Sequence, residues 1–461
     1  MSNDVTLSAR APEFEERHAT QGWLASGWRP RLLTPAAQWT AALLGLLGSV
    51  LVAVSAVAVG PLPEQRPLPW WYALPQSWVA SAQVSSGVTP LDVVFYGGMA
   101  LMTLAWLVVG LGVRAGMWRI RELWVLGAAW ALPWLLGPVA LSTDLYTYIG
   151  QGLVAHAGLN PYESGPAAAT LPDTLLGHMT RVWLYTPSPY GPLFLGLDSV
   201  ISPLVSEHLV YAVVLLRLVG VAGLALAAVS LPRVARSAGV DPAWATWFGV
   251  TSPLVLASCV LSGHNDGLMM GLLVAALALF AHRRPVAAIA VCTLAALVKI
   301  PAAVGVAVLT LAWAWRAQRW RDTAARLGIA ALVVGGVAVV VSVVTGVGTN
   351  WLNFAAVSSP TASAILFTPA VAVAVAVIEF CRAAGIDLSV AATLATVRGI
   401  AVVFAGLFTL GVLCRLPRIV VSRGLGAILL VVVLASPVTW PWYLCWPLLV
   451  LGASTLGRAR V

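Results

Sequence analysis

The run Asp144-Leu145-Tyr146-Thr147-Tyr148-Ile149-Gly150-Gln151-Gly152 follows directly on an apolar stretch and sets one carboxylate among phenol rings and an amide. On a helix, Asp144, Tyr148 and Gln151 stand at i, i+4 and i+7 and share one side. These residue types suit a polyol: carboxylates and amides bind hydroxyls in pairs, and rings cover the apolar C–H face of a sugar. Asp144 is then placed to act as a general base toward a hydroxyl. The alternative is a capping role, since Asp is common at the start of a helix such as the one expected to run to Ala157. A carboxylate at the centre of a membrane helix costs about 2.5–3.5 kcal/mol on insertion scales, which favours a position at the water boundary.

Further groups could act with it. Asn160-Pro161-Tyr162 and Ser188-Pro189-Tyr190-Gly191-Pro192 bracket a loop of roughly 30 residues, longer than most connections without a function. Its rings, Tyr162, Trp183, Tyr185 and Tyr190, read either as substrate contacts or as an interfacial aromatic belt. His264-Asn265-Asp266-Gly267 sits between two apolar runs, where the N-terminus of the second helix would face phosphate oxygens. A capped hairpin turn explains the same residues, and a divalent cation on His264 and Asp266 would need further ligands that the sequence does not place. Lys299 is the only lysine in the chain and interrupts Leu297-Val298-Lys299-Ile300-Pro301. It can serve as a point charge for phosphate or snorkel to the interface. Arg398 is a candidate second phosphate partner. Arg217, inside an apolar run, has Asp198 as a candidate counter-charge. Trp440, in the proline-broken segment Ser436 to Trp446, offers a ring to sugar or lipid.

The elements that must hold these groups are membrane helices. Of 461 residues 60% are hydrophobic and only 9% charged, and mean hydropathy is +0.91, which excludes an ordinary soluble globule. The expected fold is all-α, a polytopic transmembrane bundle with outer loops and juxtamembrane helices. Apolar runs at 37–60, 91–113, 122–140, 208–231, 243–261, 267–281, 325–346, 398–414 and 424–439, with shorter ones at 286–298, 301–315, 363–380 and 441–456, give roughly 11 to 13 crossings. The net charge of +9 comes from arginines in short loops: 114–121, 233–236, 283–284, 316–326, 415–423 and 458–460. With a cytoplasmic N-terminus these fall inside, so the basicity reads as topology and not as nucleic-acid binding. The same parity puts 61–90, 141–190, 262–266, 347–362 and 440 outside, provided that 190–206 and 363–397 are re-entrant or lie along the outer surface. The expected organisation is a partly disordered cytoplasmic tail over 1–36, a membrane catalytic domain over 37–456 with its outer loop at 141–190, and a short cytoplasmic end at 457–461. Five scattered cysteines without CxxC spacing read as buried apolar residues.

In their order, Asp144 to Tyr148 with Gln151-Gly152, Asn160-Pro161-Tyr162, Ser188 to Pro192, His264-Asn265-Asp266 and Leu297 to Pro301, these motifs resemble the GT-C membrane glycosyltransferases. More narrowly, they resemble the actinobacterial polyprenol-phosphate-mannose-dependent α-(1→6)-mannosyltransferases, over roughly residues 37–456. The resemblance implies that Asp144 is the catalytic base, that the donor is polyprenyl-phosphate mannose, and that the acceptor is a lipid-linked α-mannan of the lipomannan and lipoarabinomannan type. It implies a multi-pass plasma-membrane enzyme working on the extracytoplasmic face, with Lys299 and Arg398 on the donor phosphate. Tyr146, Tyr148, Gln151, Asn160, Tyr162, Tyr190, His264, Asn265, Asp266 and Trp440 are then the candidates for sugar and acceptor contact. Many GT-C enzymes carry two acids in the first outer loop, whereas here 61–90 holds only Glu64, which leaves a divalent cation an open question. Two rivals remain: a GT-C transferase for an arabinofuranosyl or glucosyl donor, and a lipid-linked sugar flippase. The flippase would call for internal repeats and midplane sites, and neither is visible.

Overall fold

The computed structural model describes residues 31–58, 87–205, 209–352 and 368–455. Most of the expected N-terminal tail, nearly all of the 61–90 loop with Glu64, and the 457–461 end lie outside the described residues. Among the described residues all regular structure is helical. The principal helices are α1 (Pro35–Ser55), α2 (Pro90–Arg114), α3 (Ile120–Leu136), α4 (Asp144–His156), α5 (Pro192–Ile201), α6 (Leu209–Ser237), α7 (Pro242–Val250), α8 (Asp266–Ala281), α9 (Pro285–Val298), α10 (Ala303–Ala314), α11 (Trp320–Thr345), α12 (Pro369–Ala383), α13 (Val390–Arg415), α14 (Val421–Ala435) and α15 (Cys445–Gly452).

Local sequence fixes where many of them begin. Proline stands in the first turn of α1, α2, α5, α7, α9 and α12, where its missing N–H breaks no helical bond. Thr89 accepts from Asp92 N–H while Asp92 accepts from Thr89 N–H, closing a capping box on α2.

The helices differ from the expected spans chiefly in length. Five of them, α1, α2, α6, α11 and α13, are long and apolar enough to cross a membrane, and the bent pair Pro242–Val250 and Pro253–Leu261 makes a sixth. Among the described residues the expected 11 to 13 crossings are therefore not met by length. Where further crossings were expected stand apolar helices of 10–17 residues, among them α8, α9, α10 and α14, shorter than the roughly 20 residues that one span needs. The span expected at 398–414 begins earlier, at Val390, and α13 buries only Ala405, as befits a helix facing lipid. Residues 192–201 form α5, which packs against α4.

In lipid no hydrophobic force drives helices together, so small residues that let backbones approach carry the packing. α6 and α8 meet this way. A Cβ at Gly223 would stand 2.3 Å from the Gly267 carbonyl oxygen, and one at Gly271 would stand 2.1 Å from that of Gly223. This contact fixes the N-terminal end of α8, and with it Asp266.

α3 and α4 are separate helices: the chain breaks after Leu136 and restarts at Asp144. Leu141 in the break has a φ of 68°, a backbone conformation that non-glycine residues adopt only when the surroundings enforce it. The break is bridged by Arg217 of α6, wholly buried, whose guanidinium donates to the carbonyls of Gly137, Pro138 (3.0 Å) and Leu261. This corrects the expected pairing with Asp198. The two terminal nitrogens of Arg217 donate to backbone carbonyls at the α3/α4 break and at Leu261, and Asp198 is buried with neither carboxylate oxygen in a hydrogen bond. One cation thus ties the segment before Asp144 to the segment before His264.

Candidate active site

Asp144 is the first residue of α4, not its cap. Thr143 holds the cap position without a side-chain bond, and Asp144 N–H donates to Ser142 Oγ at 3.2 Å. The carboxylate instead faces His264, with Oδ2 3.5 Å from Nδ1. Tyr148, one turn along α4, brings its hydroxyl to 3.3 Å from the same nitrogen.

His264 is presented by an irregular turn. A π-helical turn at Ala257–Leu261 ends α-helical geometry early, a feature frequent at functional sites. Gly263 then takes a φ of 71°, and a Cβ there would stand 2.2 Å from Leu145 Cδ1. Only glycine meets both demands. His264 N–H donates to the Ser258 carbonyl at 3.0 Å, and the imidazole lies flat on Trp442, centroids 4.0 Å apart. Trp442 in turn stacks on Trp440 at 4.8 Å and 8°.

Burial sets the protonation of this pair. It pushes the Asp144 carboxyl up; Lys299 pulls it down and Asp266 pushes it up again, leaving it at about 6. Burial drives His264 down to about 3, so its imidazole is neutral. A proton on Nδ1 lets His264 donate toward Asp144, whereas a bare Nδ1 accepts from Tyr148.

Lys299 forms the second centre, where α9 ends in an extended residue before Pro301. Its Nζ donates to both carboxylate oxygens of Asp266, at 2.9 and 3.1 Å, and Trp446 Nε1 donates to Oδ1 of the same carboxylate. The rings of Tyr190, Tyr443 and Trp446 surround the ammonium at 5.7, 5.1 and 5.4 Å. The loop that carries Tyr190 is pinned here, because Gly191 N–H donates to the Val298 carbonyl at 3.0 Å. A Cβ on Gly191 would stand 2.1 Å from the Leu297 carbonyl oxygen.

Both centres open on one cavity of about 490 Å³. Of the expected site residues it brings Asp144, Tyr190, Lys299, Arg398 and Trp440 to its wall, together with Trp442, Tyr443, Trp446 and the α14 end at Val432, Val433 and Ser436. The other candidates stand behind that wall. Tyr146 is fully buried with its ring 4.9 Å from His178. Gln151 accepts from Ser188 Oγ at 2.9 Å and so anchors the loop to α4. Asn160 Oδ1 accepts from Tyr162 N–H at 3.0 Å, closing a turn beneath which Tyr162 is buried. Tyr148 and His264 support Asp144, Asp266 supports Lys299, and Asn265 is buried with its amide atoms in no hydrogen bond. Among the described residues no three His, Cys, Asp or Glu side chains gather as a metal site.

Sequence reasoning singled out Trp440 but not Trp442 and Trp446, which contact His264 and Asp266. The density of tryptophan over 440–446 was the available signal. The charge of Arg217 stands out in the sequence, but its partners do not, since backbone carbonyl acceptors leave no mark there.

Two families match the chain. The one described as alpha-(1->6)-mannopyranosyltransferase, N-terminal domain, covers residues 42–316, and the one described as MptB C-terminal domain covers 368–461. Alpha-(1->6)-mannopyranosyltransferase A of Mycobacterium tuberculosis is 31% identical over 99% of the chain and 88% of the relative. A second alpha-(1->6)-mannopyranosyltransferase of that organism is 27% identical over 89% of the chain and 78% of its own length. Alpha-(1->6)-mannopyranosyltransferase B of Corynebacterium glutamicum is 26% identical over 89% and 72%. No solved structure matches.

Proposed function

The chain belongs to the alpha-(1->6)-mannopyranosyltransferase family and is a multi-pass membrane mannosyltransferase, and from that premise we propose that it takes mannose from polyprenyl-phosphate mannose and delivers it to a lipid-linked α-(1→6)-mannan at the extracytoplasmic face of the plasma membrane. The observation that carries this reading is the single cavity lined by a carboxylate, Asp144, and two cations, Lys299 and Arg398, among aromatic rings. A base for a hydroxyl and positive charge for a departing phosphate are the two groups that such a transfer requires.

In this mechanism the acceptor hydroxyl loses its proton to Asp144 as its oxygen bonds to the anomeric carbon. The bond from that carbon to the phosphate oxygen breaks, and its electron pair leaves with the lipid phosphate. Attack from the face opposite the phosphate inverts the carbon, so a β-linked donor gives an α-linked product. His264, with its proton on Nδ1, holds Asp144 in line. Lys299 keeps one N–H beyond the pair it gives to Asp266, and with Arg398 it meets the charge that grows on the phosphate. Phosphate leaves well without a proton, so no general acid is assigned. Trp440 and Tyr190 offer rings to the sugar face.

The donor is tested with membranes containing the full chain, supplied in parallel with labelled polyprenyl-phosphate mannose and labelled nucleotide-linked mannose, with a short α-(1→6)-mannoside as acceptor. Transfer from the lipid donor alone supports the reading. Direct transfer from the nucleotide sugar, or use of another lipid-linked sugar only, contradicts it.

A further inference from the structure

At the other end of the bundle lies a second cavity that this reaction does not use. Asp266 and Phe280 mark the two ends of α8, about 21 Å apart at 1.5 Å per residue. Around Phe280 the cavity, of about 390 Å³, is lined by Val234, Leu277, Arg283, Arg316, Ile419 and the start of α14. A neighbouring cavity of about 410 Å³ shares Phe280, Arg283 and Arg316 and adds Arg326 and Trp313. Neither lining contains an acidic side chain.

Three features give this cavity the chemistry of an anion site. Arg283 and Arg316 enter no ion pair among the described residues, and the Arg316 guanidinium is held 4.9 Å over the Phe280 ring. Arg283 takes a φ of 58°, a strained conformation for an arginine, in the tight turn between α8 and α9. α14 begins at the cavity with Val420 as its cap residue and no side-chain cap bond, so its first N–H groups are unsatisfied. The independent observation is Ser422. It lines the cavity, is only 4% exposed, and its Oγ is in no hydrogen bond. A buried, unpartnered hydroxyl costs free energy unless something polar meets it.

We propose that this cavity binds the phosphate headgroup of an anionic phospholipid, with Arg283 and Arg316 on the phosphate oxygens and the α14 N-terminus with Ser422 Oγ beneath them. Apolar walls from Val234, Leu277 and Ile419 suit the glycerol and first methylenes of a lipid better than a free ion, and arginine pockets between membrane helices recognise such headgroups. Because α14 runs from this cavity to the one that holds Asp144, the lipid sits on an element of the reaction site.

The test uses the full chain purified in a neutral detergent, with added dioleoylphosphatidylglycerol, dioleoylphosphatidylcholine or millimolar inorganic phosphate. Thermal unfolding and native mass spectrometry of retained lipid are read together. Phosphatidylglycerol is expected to raise the midpoint and to remain bound, while phosphatidylcholine and inorganic phosphate do neither. Arg283→Gln with Arg316→Gln should weaken lipid retention at least about tenfold, as expected for the loss of charge-assisted bonds. Arg319→Gln with Arg321→Gln, which alters exposed arginines outside the lining, should not. Should the first double variant fail to fold, Ser422→Val removes the hydroxyl without touching charge and should also weaken retention. Equal stabilisation by inorganic phosphate, or unchanged retention in the Arg283/Arg316 and Ser422 variants, would overturn the proposal.

Discussion

Lys299 Nζ lies 2.9 and 3.1 Å from the two carboxylate oxygens of Asp266, so the only lysine in the chain carries its counter-charge with it and does not stand as a lone cation. A buried pair of this kind costs about 3–5 kcal/mol when one partner is removed, because the other charge is left alone. Asp266→Asn and Lys299→Met are each expected to lower the unfolding midpoint sharply. The double variant should recover most of that loss while transfer stays strongly reduced, since the phosphate keeps Arg398 but has lost Lys299. Thermal unfolding and transfer, measured on the same preparations, check this, and a double variant as active as wild type would remove Lys299 from the mechanism.

The Asp144 carboxyl, pushed up to about 6, must be ionised to accept a proton. A base with a raised pKa is protonated, and inactive, below that value. kcat/KM should therefore fall about tenfold per pH unit below pH 6 and level off above it. A profile flat from pH 5 to 8 would point to a base other than Asp144.

His264→Phe keeps a ring against Trp442 but removes the nitrogen that faces Asp144. Misplacing a catalytic group by about 1 Å can cost on the order of 10²-fold, so kcat should drop by that order while KM changes little. A rise in KM with kcat intact would make His264 a substrate contact instead.

Much of the site was legible because charge is scarce here. In a chain with 9% charged residues, Asp144, Lys299 and Arg398 stand out, and the structure brings them to one cavity. Their partners were less legible. Asp266 and Lys299 lie 33 residues apart and meet through the α8 and α9 hairpin, a distance that no local period encodes. Gln151 shares a helix side with Asp144 in projection, yet it is 1% exposed because the 160–190 loop folds over it and Ser188 claims its oxygen. The all-helical membrane fold followed from hydropathy. The number of spans did not, because hydropathy reports apolar length and is silent on where a π-turn, a proline or a buried arginine breaks a run.

Arg217 is expected to be indispensable to folding for a related reason. Hydrogen bonds to a charged group contribute about 1.5–3 kcal/mol each, and this one guanidinium serves several carbonyls around the break between α3 and α4. Arg217→Met should abolish folded protein on size-exclusion analysis, with Arg217→Lys intermediate. A well-folded Met variant would show that the break is held by something else.

The central claim, a mannosyl transfer with Asp144 as base, is tested most directly by Asp144→Asn in membranes supplied with labelled polyprenyl-phosphate mannose and an α-(1→6)-mannoside acceptor. The account predicts that transfer falls by about 10²–10⁴-fold or more in a variant that keeps the wild-type unfolding midpoint. An Asp144→Asn protein that transfers mannose at the wild-type rate would contradict it.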